Sequence, residues 1–102
     1  MEVTKQASDD NRTVNIKITG RFDFSSHRAF REAYQGHNTP GATFEVDLSG
    51  SEYIDSSALG MLLLLKEFAE ANDGEVVLVR PSDEVEKILN LANFHRLFPV
   101  RT

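Results

Sequence analysis

Alternating apolar and polar residues mark strands near the start of the chain. Residues 13–19 alternate regularly, and three apolar positions are expected on the buried side of a half-exposed strand: Val14, Ile16 and Ile18. The polar cluster at residues 9–11 is typical of a turn, so residues 3–7 are predicted to form the hairpin partner of this strand. Gly20 is predicted to end the strand.

Three segments carry apolar residues at helical spacing. They are a stretch of about ten residues that follows Phe24, residues 57–72 and residues 83–93. Ser25 or Ser26 is predicted to cap the first helix, and Ser82 the third, by accepting a hydrogen bond from a free first-turn amide. The second helix has a wide apolar surface and is predicted to stop at Gly74, in the left-handed conformation that glycine adopts at helix ends.

The order of the elements predicts the fold class. Residues 43–48 alternate like the first strand, and residues 75–80 form a continuous apolar run typical of a central strand covered on both faces. Together with the helix between them, these two strands form a crossover unit in which both run parallel. The prediction is an α/β fold, a mixed sheet of four to five strands with three to four packed helices. We expect one domain over residues 1–102.

Composition narrows the classes of function. The chain has 102 residues and a net charge of −5, and its acidic residues are spread along the sequence, which argues against nucleic acid and anionic lipid as partners. The absence of cysteine excludes disulfides and thiolate chemistry. The first residues lack the apolar core of a signal peptide, and the longest apolar run, residues 61–65, is far shorter than the ~20 residues of a membrane span. These features predict a soluble, cytoplasmic protein.

The most informative segment is Asp55-Ser56-Ser57-Ala58-Leu59-Gly60, which joins an apolar strand to a long apolar helix. A hydroxyl at such a corner lies beside the unpaired amides and the positive dipole end of a helix, where a phosphate group is favourable. A structural role for either serine is open as well, because serine is a common N-cap. Ser57 can cap or pack while Ser56 is modified. Asp55 either orients the Ser56 hydroxyl or helps a kinase recognise it, or it bonds its own backbone in the turn.

These residues resemble the STAS domain family, which includes the anti-sigma factor antagonists of bacteria. The resemblance covers essentially the whole chain and rests on four segments: residues 19–23, 46–48, 54–60 and 74–79. The first of them is similar to the Gly-x-Leu-Asp turn of the family, with Phe22 in place of leucine. Two positions depart from the family: Ala58 replaces a common glycine, and Arg21 stands where acidic residues are frequent.

The resemblance implies a switch between partners. It implies that Ser56 is the phosphoacceptor and that the unmodified protein binds and sequesters an anti-sigma factor, in some cases itself a serine kinase, which frees the sigma factor. Phosphorylation would break this complex, and a PP2C-type phosphatase would restore it. The implied partner-binding residues are Asp23, Asp55, Ser56, Ser57 and Leu59. No cofactor and no metal are expected.

Other classes of function were weighed against this one. An enzyme with Ser56 as nucleophile is not expected, because the chain lacks a G-x-S-x-G elbow and a histidine clearly placed as base. STAS-like domains also serve as adaptor subunits of ABC-type ATPases in bacterial lipid transport, or as parts of larger signalling assemblies. Asp23 is open between a turn residue and a partner contact. The three histidines show no metal-ligand spacing and are expected to have surface or packing roles: His27, His37 and His95.

Overall fold

The computed structural model describes residues 2–102, which form one six-stranded sheet, three α-helices and two short 3-10 helices. In chain order the elements are β1 (Glu2–Ala7), β2 (Thr13–Phe22), a 3-10 turn (Phe24–Ser26), α1 (His27–Tyr34), β3 (Thr43–Asp47), β4 (Ser51–Ile54), α2 (Ser56–Ala71), β5 (Glu75–Val79), α3 (Asp83–Leu91), a 3-10 turn (Phe94–Arg96) and β6 (Val100–Arg101). The strand order is β1-β2-β3-β5-β6, and β4 also pairs with β2. Only the β1–β2 pair is antiparallel among these strands. The predicted mixed α/β sheet is confirmed, with six strands instead of four to five.

β2 is the longest strand and pairs with two parallel strands in succession. Its first half pairs with β3 and its last three residues pair with β4. The prediction that Gly20 ends the strand is therefore wrong. Gly20 has a φ of 89°, its N–H donates to the carbonyl of Gly50 at 2.8 Å, and the register with β4 shifts directly after it. Glycine allows a bulge where the strand changes partner, so β2 continues to Phe22.

β4 is a strand that the hydrophobic pattern does not reveal. It has four residues, and it follows the turn residues Ser49 and Gly50. Ile54 is its one buried large apolar side chain, so alternation cannot be recognised. The Ser51 hydroxyl donates to the carbonyl of Ile18 at 2.9 Å, where the backbone ladder of β2 passes from β3 to β4. Pairing with β2, rather than local propensity, defines this strand.

The core lies between one face of the sheet and the α-helices. Buried side chains of β2 and of α1, α2 and α3 belong to one apolar cluster, and its large, almost fully enclosed members include Phe22, Phe30, Leu62, Leu65 and Leu89. The alternate residues of β2 are half-buried or exposed. At β2 one face of the sheet is therefore covered, and the other presents mostly polar side chains. At β5 the residues of both faces are buried, from Val76 to Val79, as predicted for a central strand.

The end of α2 differs from its prediction in one detail. The left-handed residue is Asp73, with a φ of 58°, and not Gly74. Gly74 is required for space: a Cβ there would lie 2.2 Å from the carbonyl oxygen of Ala42. Aspartate tolerates the left-handed region, so the glycine is free to serve the close approach between the start of β5 and the segment before β3.

α3 begins as predicted, with the Ser82 hydroxyl accepting a hydrogen bond from the Val85 amide at 3.3 Å. Its apolar side chains Val85 and Leu89 are buried, and Ile88 is partly buried. Within residues 2–102, no helix is both long enough and apolar enough to cross a bilayer.

Candidate functional site

The site is formed where two parallel strands end side by side. β2 and β4 run in the same direction, so their carboxyl ends meet at one edge of the sheet. Phe22 pairs with Ile54, and the amide of the next residue, Asp55, donates to the carbonyl of Phe22 at 3.3 Å. Asp23 and Asp55 follow the two strands directly, and each precedes a helix. The structure thus brings together the two turns that carry the predicted site residues.

Asp55 is the N-cap of α2. Its backbone is extended, and its Oδ1 accepts a hydrogen bond from the Ala58 amide at 2.9 Å. Two roles were open for Asp55, and the structure shows the one in which its carboxylate bonds the backbone of the turn. The expectation that Ser56 or Ser57 caps the helix is wrong, because aspartate is the residue that precedes the first helical turn and it satisfies the third amide itself.

Ser56 is the first residue of α2 and is exposed. Its hydroxyl makes no hydrogen bond with any group in residues 2–102. Ser57 is half-buried, and Leu59 is partly buried against the core. By helix geometry, the amides of Ser56 and Ser57 have no acceptor within the helix. A phosphate group on Ser56 would lie next to two free donors and the positive end of the helix dipole.

Asp23 holds the neighbouring corner. Its Oδ1 accepts from both the amide and the hydroxyl of Ser25, at 3.0 and 2.5 Å. The Ser26 hydroxyl accepts from the Asp23 amide at 3.3 Å, which completes a capping box around the 3-10 turn. Asp23 therefore caps the 3-10 turn. Ser26 occupies the N-cap position of α1 but its side chain makes no capping bond, so the prediction that Ser25 or Ser26 caps this helix by accepting from a first-turn amide is wrong. The hydrogen bond from the Ser25 hydroxyl, together with Arg21, lowers the pKa of Asp23 below its usual 3.8.

Two exposed aromatic side chains beside the corners, Phe24 and Tyr53, were missed by the sequence analysis, and Arg21 was noted there only as a departure from the family. The guanidinium carbon of Arg21 lies 4.7 Å from the centre of the Tyr53 ring, and its Nε lies 3.6 Å from Asp23 Oδ2. Phe24 is 74% exposed, and Tyr53 is 41% exposed. We call the surface formed by Arg21, Phe24, Tyr53 and Ser56 the docking face. Large exposed aromatic side chains beside a guanidinium group are typical of protein interfaces. Tyr53 can be recognised as part of this surface only once β4 is known.

The described residues hold no evident metal centre. No group of three His, Asp or Glu side chains within residues 2–102 is placed to bind a metal ion. His37 is buried; its Nε2 lies 2.8 Å from the carbonyl oxygen of Asn11, and its ring packs edge-on against Phe44. His27 stacks on Phe24, with ring centres 6.1 Å apart. These two histidines have the packing and surface roles expected for them.

Comparison with known proteins identifies the family. A family model described as "Mlab, STAS domain" matches residues 5–99, so the chain belongs to the STAS domain family. It is also similar to the STAS-domain containing protein PA14_20770 of Pseudomonas aeruginosa (strain UCBPP-PA14), with 43% identity over 100 residues. This match covers 98% of the chain and 99% of the relative. The resemblance derived from the sequence is confirmed.

Solved structures share the fold at low sequence identity. The anti-sigma factor antagonist SpoIIAA in its unphosphorylated form is 21% identical, with a TM-score of 0.71 over 99% of this chain and 87% of its own. The phosphorylated form of the Bacillus protein SpoIIAA is 22% identical, with a TM-score of 0.67 over 99% and 92%. A sulfate transporter family protein from Wolinella succinogenes is 18% identical, with a TM-score of 0.80 over 95% and 80%. The fold therefore occurs in regulators and in transport proteins.

Proposed function

We propose that the protein is an anti-sigma factor antagonist. Its unphosphorylated form binds and sequesters an anti-sigma factor, which releases the sigma factor, and phosphorylation at Ser56 switches this binding off. The observation that carries the proposal is the exposed Ser56 hydroxyl at the start of α2, in a helix whose cap is provided separately by Asp55. Such a role places the protein in the cytoplasm. The other partners are a serine kinase, in some cases the anti-sigma factor itself, and a PP2C-type phosphatase.

Electrostatics explains how one phosphate acts as a switch. A phosphoryl group adds roughly −1.5 to −2 charges and three acceptor oxygens. At Ser56 it would bond the free first-turn amides, so the fold keeps its stability. A partner packed against the docking face would meet a bulky dianion close to the carboxylates of Asp23 and Asp55. Burying an unpaired charge costs several kcal/mol, so binding is lost without any movement of the backbone.

The roles of the remaining site residues follow from their positions. Asp23 and Asp55 hold the two corners in place, and we propose that their outer edges contact the partner along with Ser56 and Ser57. Leu59 is partly buried against the core, and its accessible part belongs to the proposed partner contact as well. Catalysis by Ser56 is not part of the proposal, because within residues 2–102 no histidine hydrogen-bonds the Ser56 hydroxyl and Asp55 is engaged with an amide.

The test compares Ser56→Ala with Ser56→Asp in pull-downs from cell extract, followed by measurement of the dissociation constant of the recovered partner. We expect Ser56→Ala to bind permanently and Ser56→Asp to bind about a hundredfold more weakly, or about 2.8 kcal/mol. Asn90→Asp adds the same charge at an exposed position of α3 that is not one of the docking-face residues, and it is expected to bind like the unmodified protein. Equal affinities for the two Ser56 variants would contradict the switch, and mass mapping of phosphate in the purified protein would identify the modified residue.

A second candidate is a constitutive adaptor subunit, either of an ABC-type lipid-transport ATPase or of a larger signalling assembly. Its support is that the family model is described without reference to sigma factors and that the fold also occurs in a sulfate transporter family protein. In that case both Ser56 variants would recover the same partner, and that partner would be an ATPase or an assembly component instead of an anti-sigma factor.

A further inference from the structure

A groove of about 600 Å³ runs between α1 and α2, and its lining comes entirely from these two helices and the residue after α1. Phe30, Tyr34 and Met61 form its floor and are 1–7% exposed. Phe68 and Leu64 form its α2 side, and Leu64 is 50% exposed although it belongs to the most apolar part of the helix. An apolar, partly aromatic concave surface of this size is typical of a binding site.

The rim of the groove on α1 carries a positive charge. Arg31 lines the groove and forms no ion pair with any of residues 2–102, whereas Arg28, three residues earlier on the same helix, pairs with Glu32 at 3.2 Å. Arg31 also acts on the Tyr34 hydroxyl: burial raises the pKa of Tyr34, and the charge of Arg31 opposes that rise. Arg31 and Tyr34 are three residues apart on α1 and both line the groove, so the guanidinium is available at the edge of the apolar floor to receive a carboxylate.

The opposite rim has the opposite charge. Glu67 lines the groove from α2, and it takes part in no ion pair within residues 2–102. A ligand in the groove therefore meets a cation on the α1 side and an anion on the α2 side. This pattern fixes the direction in which a charged, amphipathic ligand can lie, because the reversed direction places like charges together.

We propose that the α1–α2 groove is a second docking site, which takes an amphipathic helix of a protein partner with apolar residues on the floor and a carboxylate facing Arg31. A helix fits because its i, i+3, i+4 and i+7 side chains make an apolar stripe of the width that two neighbouring helices present. Leu64 provides the exposed apolar contact, and the guanidinium of Arg31 provides the charge complementarity.

The exposed apolar contact of the groove, Leu64, lies along α2 from the Ser56 switch. Leu64 is eight residues along α2 from Ser56, which is about 12 Å at 1.5 Å per residue. That distance exceeds the Debye length of about 8 Å at physiological ionic strength, so a phosphate on Ser56 is largely screened at Leu64. The near end of the groove adjoins the docking face, because His27 lines the groove and stacks on Phe24. One partner can thus remain attached by its helix while the docking face changes its affinity.

The probe is a panel of three synthetic 16-residue amphipathic helices with the same apolar face and with glutamate, glutamine or lysine at the position facing Arg31. Binding to the full chain is measured by fluorescence anisotropy, and the contact surface is mapped by ¹⁵N chemical shifts. We expect the glutamate peptide to shift α1 and α2 amides around Leu64 and to bind at least about tenfold more tightly than the lysine peptide. Raising the salt concentration should reduce that preference.

Matched variants separate the groove from the rest of the surface. Arg31→Glu and Leu64→Glu should each weaken the glutamate peptide about tenfold or more, and Arg31→Glu should improve the lysine peptide. The controls are Arg28→Glu, on the same helix, and Leu91→Glu, whose side chain is 86% exposed on α3; both should change the affinity less than about twofold. All four positions are exposed or half-exposed, and thermal melts check that the variants fold.

Three results would overturn the proposal: no binding by any peptide at millimolar concentration, equal binding of the three peptides, or chemical shifts outside α1 and α2. Ser56→Asp should bind the glutamate peptide within about twofold of the unmodified protein. A tenfold or greater loss of peptide affinity in Ser56→Asp would instead mean that charge at Ser56 controls binding in the groove, which would overturn the proposal of a second, separate docking site. The two Ser56 variants can bind the partner equally while the glutamate peptide still binds the groove. That result would contradict the Ser56 switch and still support the groove, so the two proposals are tested separately.

Discussion

The two strand-to-helix corners of the site share one arrangement of strand, aspartate and helix, and they differ in whether their serine hydroxyls are hydrogen-bonded. Each follows one of two paired parallel strands, and each begins with an aspartate that caps the next helical turn. At the Asp23 corner both serines are engaged: the Ser25 hydroxyl donates to Asp23, and Ser26 is fully buried with its hydroxyl in the capping box. At the Asp55 corner the cap needs no serine, and Ser56 is exposed.

This difference separates serine hydroxyls that the structure already uses from one that is free. Proximity to a helix start is common to Ser25, Ser26 and Ser56, so the local sequence pattern alone does not distinguish them. What differs is whether the hydroxyl is already needed by the structure. Folding stability can reveal that difference, since a serine in structural use should tolerate a charge poorly and a free one should tolerate it well.

The largest difference is expected when an acidic side chain replaces a serine at each corner. Ser26→Asp should lower the free energy of unfolding by about 3–5 kcal/mol, because it buries a carboxylate in a position that is 0% exposed. Ser56→Asp should change it by less than about 0.5 kcal/mol, in the stabilising direction, because a negative charge in the first helical turn favours the dipole. Urea unfolding of both variants measures the difference.

Ser26→Ala is the control for that experiment, since it removes the hydroxyl without adding charge. It should cost about 1–2 kcal/mol, from the loss of the capping box. If Ser26→Asp were as stable as the unmodified protein, the two corners would be equivalent, and the argument for Ser56 would lose its structural basis.

Replacing the two capping aspartates by alanine should change the free energy of unfolding by more similar amounts. Asp23→Ala should destabilise the protein by about 1.5–2 kcal/mol, because three hydrogen bonds of the corner depend on it or on its box. Asp55→Ala should cost about 1 kcal/mol, because one amide loses its acceptor. Chemical denaturation of the two variants checks the order, and a larger cost for Asp55→Ala would reverse the comparison.

The smallest effect is expected in the pH dependence of the Asp23 corner. The pKa of Asp23 is lowered in the folded protein, mainly by the Ser25 hydroxyl, so the folded state favours the ionised form. The stability that Asp23 adds is therefore present above the usual value of 3.8 and is lost as the pH falls through the lower folded pKa. Unfolding curves of the protein and of Asp23→Asn should thus converge towards low pH.

Ser25→Ala sharpens that measurement, because it removes the main cause of the shift. The pKa of Asp23, followed by carboxyl NMR titration, should rise towards its usual value in this variant. A titration of Asp23 that does not change in Ser25→Ala would mean that the Ser25 hydroxyl does not hold the carboxylate at this corner.

Much of the fold was predictable because its long elements carry strong patterns. The alternation in β2 and β3, the apolar run of β5 and the helical spacing of α2 all identify elements whose burial is regular. β4 was not predictable, since a four-residue strand with one large buried apolar side chain shows no period. Gly20 was misjudged because glycine marks both strand ends and bulges, and only the pairing partner distinguishes the two.

The position of the strand-to-helix corner was predictable, and the structural roles of its individual residues were not. The segment from Asp55 to Gly60 identified the corner, but serine and aspartate are both good caps, so the sequence pattern left the choice between them open. The Arg21–Tyr53 contact depends on β4 and on its register with β2, which is a long-range property. The α1–α2 groove likewise depends on how two helices pack, and the exposure of Leu64 follows from that packing.

The capping of α2 by Asp55 has a consequence for the life of the protein in a cell. Because a neighbouring carboxylate holds the first turn, adding or removing a group at Ser56 does not loosen the helix. Both chemical states should then be equally resistant to proteolysis and turn over at the same rate. Under the proposed switch, one molecule can therefore be phosphorylated and dephosphorylated at Ser56 many times without new synthesis.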